Sequence, residues 1–172
     1  MPDTEMQDAA RRLIALAKRH AEMIATAESC TGGLIAATLT AIDGSSAVVD
    51  GGFVTYSNAA KMAMLGVDPA LLAEFGAVSE PVARAMAEGA LRHAPEATIT
   101  VAVTGIAGPG GGSPEKPVGL VHLACAAGKH PTLHRRKLFN GDRHQVRRAT
   151  VLEAFALIED MMASNDQEFG SP

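Results

Sequence analysis

A short apolar run at residues 23–27 passes through Glu28-Ser29-Cys30-Thr31-Gly32-Gly33 into a helical pattern that opens at Thr31 and ends near Ala41. A strand without a polar face is buried on both sides, so it needs a layer of helices above and below its sheet. The rest of the chain supplies those layers. Residues 3–20 place Ala10, Leu13, Ile14, Ala17 and Ala21 at helical spacing, with Arg11, Arg12, Lys18 and Arg19 opposite. A turn at 43–46 leads to a strand at 48–56, loosened by Gly51-Gly52. A helix from Asn58 ends before Gly66-Val67-Asp68-Pro69, and Pro69 suits the first turn of the next one. Ser79 reads as the N-cap of a helix reaching His93. Then come a β-rich run at 98–103, a glycine loop at 105–112, strands at 118–126 and 133–139, and a helix at 142–162. The polar tail after Ser164 is expected to fray. Strands alternate with helices early and cluster late, which predicts a mixed, partly parallel sheet in one α/β domain.

Composition narrows the function. The 172 residues suit a single domain, and 47% hydrophobic against 20% charged residues excludes a disordered chain. Aromatics are 3% and Trp is absent, so the core is aliphatic and few rings are available to stack on bases. A net charge of −4 provides no basic field for nucleic acid. No apolar run is long enough to span a bilayer, the N-terminus lacks a signal-peptide core, and Cys30 and Cys125 make no disulfide scaffold. A cytoplasmic setting is expected.

Four features carry candidate chemistry. The turn at 28–33 brings unpaired N–H groups at a helix start, suited to a phosphate or an oxyanion; its bland reading is a capped junction with Ser29 or Thr31 as N-cap. Thr104-Gly105-Ile106-Ala107-Gly108-Pro109-Gly110-Gly111-Gly112 follows a strand, where open α/β sheets hold ligands; it could equally be a plain surface loop. Ser45-Ser46 with Tyr56 and Lys61 offers a hydroxyl nucleophile and an amine base. That pairing requires burial to lower a lysine pKa of about 10.4, against the alternative of a solvated lysine and a sheet tyrosine. Six of the 15 Lys and Arg cluster late, at Arg135, Arg136, Lys137, Arg143, Arg147 and Arg148. Of these Arg143 is placed to reach an anion, while the others suit an edge guard or a solvated face. The six histidines are scattered, and Pro131 spoils a helical His130/His134 metal pair, so no metal site is expected. No His is placed in sequence to pair with Cys30, which reads as packing.

Taken in order, Ala27-Glu28-Ser29-Cys30-Thr31-Gly32-Gly33, Gly44-Ser45-Ser46, Tyr56-Ser57-Asn58 with Lys61, Gly76-Ala77-Val78-Ser79, Thr104 to Pro109, Lys116-Pro117-Val118-Gly119 and Gly141-Asp142-Arg143 resemble the C-terminal domain of competence/damage-inducible CinA proteins. The likeness runs from about Asp8 to Met162. It implies a three-layer α/β/α sandwich and, for stand-alone members, hydrolysis of nicotinamide mononucleotide to nicotinate mononucleotide and ammonia in pyridine nucleotide recycling. It implies a serine–lysine mechanism with no metal or cofactor, a small-molecule nucleotide as partner, and no nucleic acid or membrane; a homo-oligomer stays open. Carried over, Ser46 is the nucleophile, with Ser29 as the alternative, Lys61 the base, and Tyr56 its orienting neighbour. Thr31, Gly32, Gly33, Thr104, Gly105 and Gly108 line the substrate, and Arg143 takes its phosphate. The sequence shows no counterpart of the N-terminal domain of full-length members, so that domain's activities are not expected. Two competing functions remain: a non-catalytic nucleotide-binding module, and an amidase for another phosphorylated amide.

Overall fold

The computed structural model describes the backbone of residues 2–169 and the side chains of residues 2–164. Helix α1 (Thr4–His20) leads into strand β1 (Ile24–Glu28), helix α2 (Leu34–Thr40), a 3₁₀ turn (Ser45–Ala47) and β2 (Val49–Val54). Helices α3 (Asn58–Leu65), α4 (Pro69–Phe75) and α5 (Glu80–His93) follow. Strands β3 (Ile99–Gly105), β4 (Leu120–Ala127) and β5 (His130–Leu138), then helix α6 (Arg143–Phe169), complete the chain.

The five strands order as β2-β1-β3-β4-β5. β1 runs parallel to β2 and β3, and β4 and β5 add as an antiparallel extension. The mixed sheet expected from the pattern is therefore present. Its three central strands alternate between two kinds of side chain. Ile24, Ile99, Val101, Val103, Val121, Leu123 and Cys125 pack with α1, α2 and α6. Ala27, Ala102, Ala124 and Ala126 form the opposite face against α5 and Leu65. Small residues there let α5 lie close enough for the Thr100 hydroxyl to donate to the Ala87 carbonyl at 2.7 Å. The result is the three-layer α/β/α sandwich.

Several boundaries differ from the sequence reading, each for a local reason. Helix α2 starts at Leu34 rather than Thr31, because Gly32 and Gly33 hold φ of 59° and 97°, outside helical space. β4 begins at Leu120 rather than 118, after Gly119 at φ 92°. β5 starts at His130, earlier than expected, so His130 and His134 lie on a strand. Ser79 occupies the N-cap position of α5, but its hydroxyl donates to the Gly76 carbonyl instead of capping the helix. Helix α6 continues to Phe169, past the expected end near 162, and residues 170–172 of the expected tail lie outside the described residues.

Candidate active site

The chain leaves β1 through α2 on one face of the sheet and leaves β2 through α3–α5 on the other. Loops that depart to opposite faces open a crevice at the carboxyl ends of β1 and β2, beside that of β3, the place where open α/β sheets hold ligands. A cavity of about 270 Å³ lies there, and Ser29, Tyr56, Lys61, Thr104, Gly108 and Arg143 are among its walls.

At its base Lys61 Nζ sits 2.9 Å from Ser29 Oγ, 2.8 Å from the Thr55 carbonyl oxygen and 3.5 Å from that of Tyr56. The lysine is 1% exposed and has no acidic partner among the described residues. Burial pulls its pKa below the ordinary 10.5, because a charged ammonium loses hydration there that no carboxylate replaces. Nζ donates to all three oxygens; once it is neutral, the two carbonyls suffice for its two hydrogens and the Ser29 hydroxyl faces its lone pair. Cys30, next to Ser29, is buried and its thiol is pushed up to about 12, so it stays protonated.

The Ser29 backbone is held from below by Glu28. This carboxylate is fully buried and accepts five hydrogen bonds: from the Thr26 hydroxyl at 3.2 Å, the Thr31 hydroxyl at 2.6 Å, and the N–H groups of Gly33, Ile35 and Ala36 at 3.1, 3.0 and 2.8 Å. It satisfies the start of α2 from inside the protein, as an N-cap side chain would. From the other side Arg147 donates through Nη2 to the Thr31 carbonyl at 2.7 Å.

The expected site residues therefore divide. Ser29, Lys61, Tyr56, Thr104, Gly105, Gly108 and Arg143 line one cavity. Ser46 does not: it is exposed on the 3₁₀ turn and lines a separate hollow with Ala36, Thr40 and residues of β2. Thr31, Gly32 and Gly33 are also outside the walls. The Thr31 hydroxyl and the Gly33 N–H are spent on Glu28, and the Gly32 N–H on the Ser29 carbonyl. The anion that this turn was expected to bind is the chain's own carboxylate. Tyr56 meets Lys61 through its backbone carbonyl, while its ring is 62% exposed and its hydroxyl accepts from Arg143 Nη2 at 3.2 Å. Arg143 Nη1 donates to the Gly108 carbonyl at 2.9 Å, tying the start of α6 to the glycine loop. The start itself is fixed by Asp142 and Gln145, which bond each other's backbone N–H at 2.8 and 2.9 Å. Sequence reasoning missed this reciprocal cap, although its Asp-x-x-Gln spacing was in view. In the loop, the N–H groups of Ala107, Gly108, Gly110 and Gly111 make no hydrogen bond among the described residues. No group of three His, Cys, Asp or Glu among the described residues is arranged to hold a metal ion.

A family model for the CinA C-terminal domain matches residues 6–162. A protein of Escherichia coli K12 named nicotinamide-nucleotide amidohydrolase PncC is 46% identical over 96% of this chain and 99% of its own length. A CinA-like protein of Anaeromyxobacter sp. Fw109-5 is 53% identical over 85% of this chain, which spans only 35% of that relative. Among solved structures, the competence/damage-inducible protein CihA of Agrobacterium tumefaciens superposes with a TM-score of 0.89 at 52% identity, covering 93% of this chain and 97% of that one. A CinA superfamily protein of Klebsiella pneumoniae gives 0.88 at 34% identity over 92% and 98%. A family match across nearly the whole chain, with a shared fold at substantial identity, places this protein in the CinA C-terminal domain family.

Proposed function

We propose that this protein is an amidohydrolase that converts nicotinamide mononucleotide to nicotinate mononucleotide and ammonia, with Ser29 as nucleophile and Lys61 as its base. The observation that carries the reading is Lys61 Nζ, buried without an acid partner, 2.9 Å from Ser29 Oγ. A hydroxyl attacks a carboxamide only if a base removes its proton, and a desolvated lysine is such a base. The name and near-full-length identity of the Escherichia coli relative support the reaction class.

In this mechanism Ser29 Oγ forms a bond to the amide carbon as its proton passes to Lys61 Nζ. The oxyanion that develops is met by backbone N–H groups of the glycine loop, each worth roughly 3–4 kcal/mol to the transition state. Lys61 then protonates the departing nitrogen, the C–N bond breaks, and ammonia leaves a serine ester. Water, giving a proton to Lys61, adds to the ester carbon. Lys61 returns that proton to Ser29 Oγ, and the nicotinate carboxylate is released. Arg143, at the cavity mouth with the Tyr56 hydroxyl, takes the 5′-phosphate and supplies binding energy remote from the reacting bond. Ser46 has no part. The reading places this chain in pyridine nucleotide recycling.

The test is ammonia release from nicotinamide mononucleotide by the wild type and by Ser29→Ala, Ser46→Ala and Lys61→Met. Ser29→Ala and Lys61→Met are each expected to lose about 10³-fold or more, and Ser46→Ala to stay within about twofold. A wild type that binds the nucleotide without turnover would make the chain a binding module. An active Ser29→Ala would overturn the nucleophile. Parallel assays on nicotinamide riboside and free nicotinamide, expected to be poor substrates, test the phosphate seat.

A further inference from the structure

A second and larger hollow, of about 650 Å³, adjoins the first and shares Ala107, Gly108 and Arg143 with it. Its other walls are Pro109, Val118, Gly141, Asp142, His144 and Arg147. None of these is used by the chemistry above. Arg143 and Arg147 stand one helical turn apart on α6, and neither is paired with a carboxylate among the described residues. Asp142, the one acid that lines the hollow, has its carboxylate engaged with the Gln145 N–H. Arg147 uses Nη2 on Thr31, while its buried Nε has no hydrogen-bond partner. Its Nη1 makes no hydrogen bond among the described residues and is the donor left for a ligand oxygen. The opposite wall, Ala107, Pro109 and Val118, is apolar. The space far exceeds what an inorganic anion needs.

We infer that this hollow binds an organic phosphate of nucleotide size, with its phosphate on Arg147 and His144 and its organic body on the Pro109–Val118 wall. Two sources share that chemistry: the second half of a pyrophosphate-linked dinucleotide whose amide end lies at Ser29, or a free nucleotide bound beside the substrate. The dinucleotide arm rests on the proposed function; the free-nucleotide arm does not.

Calorimetric titration of the intact protein with AMP, inorganic phosphate and NAD⁺, with and without saturating nicotinamide mononucleotide, separates these cases. AMP is expected to bind at least tenfold more tightly than phosphate. His144→Glu and Arg147→Gln are each expected to weaken AMP or NAD⁺ at least tenfold, while His144→Glu keeps ammonia release within twofold of wild type. AMP binding that survives saturating mononucleotide identifies a free nucleotide. NAD⁺ that competes with the mononucleotide, and loses affinity in both variants, identifies the linked form. The inference falls if neither AMP nor NAD⁺ binds, if phosphate binds as well as AMP, or if binding is unchanged in both variants. A wild type that binds AMP in this way but releases no ammonia overturns the proposed function and leaves this site standing.

Discussion

In the proposed mechanism Lys61 is the base, and its pH behaviour follows from where it sits. Its burial lowers its pKa, so the neutral base becomes populated as pH rises through that lowered value. The expected kcat/KM for ammonia release therefore climbs with pH on its acid limb, with a midpoint below 10.5; a midpoint at or above the ordinary lysine value would count against Lys61 as the base. Stability carries the same sign. Between the folded and unfolded pKa values the unfolded chain holds the extra proton, so Lys61 contributes stability that grows as pH rises to 10.5 and is lost as pH falls. Urea unfolding should show a shallower rise above neutrality in Lys61→Met than in wild type. Lys61 and Tyr56 were legible in the sequence as candidates to sit beside a serine. Which serine was not. Ser46 is 15 positions from Lys61 and Ser29 is 32, and separation along the chain carries no information about a contact made across the end of a sheet.

At the scale of an element, Glu28 is the residue on which the start of α2 depends. Glu28→Ala would leave five buried or part-buried donors without their acceptor. The expected loss is about 4 kcal/mol of unfolding free energy, read by urea denaturation, together with a disordered Ser29 turn. The sequence pattern marked this turn as a helix start suited to an anion, with a capped junction as the alternative. It did not reveal that the anion is Glu28 itself, because a strand-end carboxylate folding under the next helix is a matter of side-chain direction, which periodicity does not encode. Helix α5 shows a related limit. By helix propensity Gly89 should improve as alanine by about 1 kcal/mol. In the fold, a Cβ there would come within 2.1 Å of the Leu65 carbonyl oxygen. Gly89→Ala is expected to destabilise by about 3 kcal/mol, a reversal that chemical denaturation would show directly.

Across the whole molecule, β4 and β5 are joined by a stacked histidine pair, His122 Nδ1 lying 2.9 Å from His134 Nε2, with His134 near Glu80 of α5. Burial lowers both pKa values, His122 to about 4. Their contribution is complete above the ordinary 6.5 and is lost as pH falls toward 4, because the unfolded chain takes up protons first. Melting temperature should fall over that window, and His122→Gln should fall less steeply; equal slopes would remove His122 from the account. Local pattern determined much of this protein: an α/β fold, a mixed sheet and an aliphatic core, with Lys61, the glycine loop and Arg143 as candidates. The fold features follow from periodicity, turn chemistry and composition, which act over a few residues; the grouping of those candidates into one site came with the family resemblance. The tertiary structure alone decided that Ser29 rather than Ser46 meets Lys61, that Glu28 occupies the helix start, and that a second hollow opens beside Arg147. The first and last depend on where separate elements end in space, which the sheet order β2-β1-β3 sets, and the second on which way a strand-end side chain points.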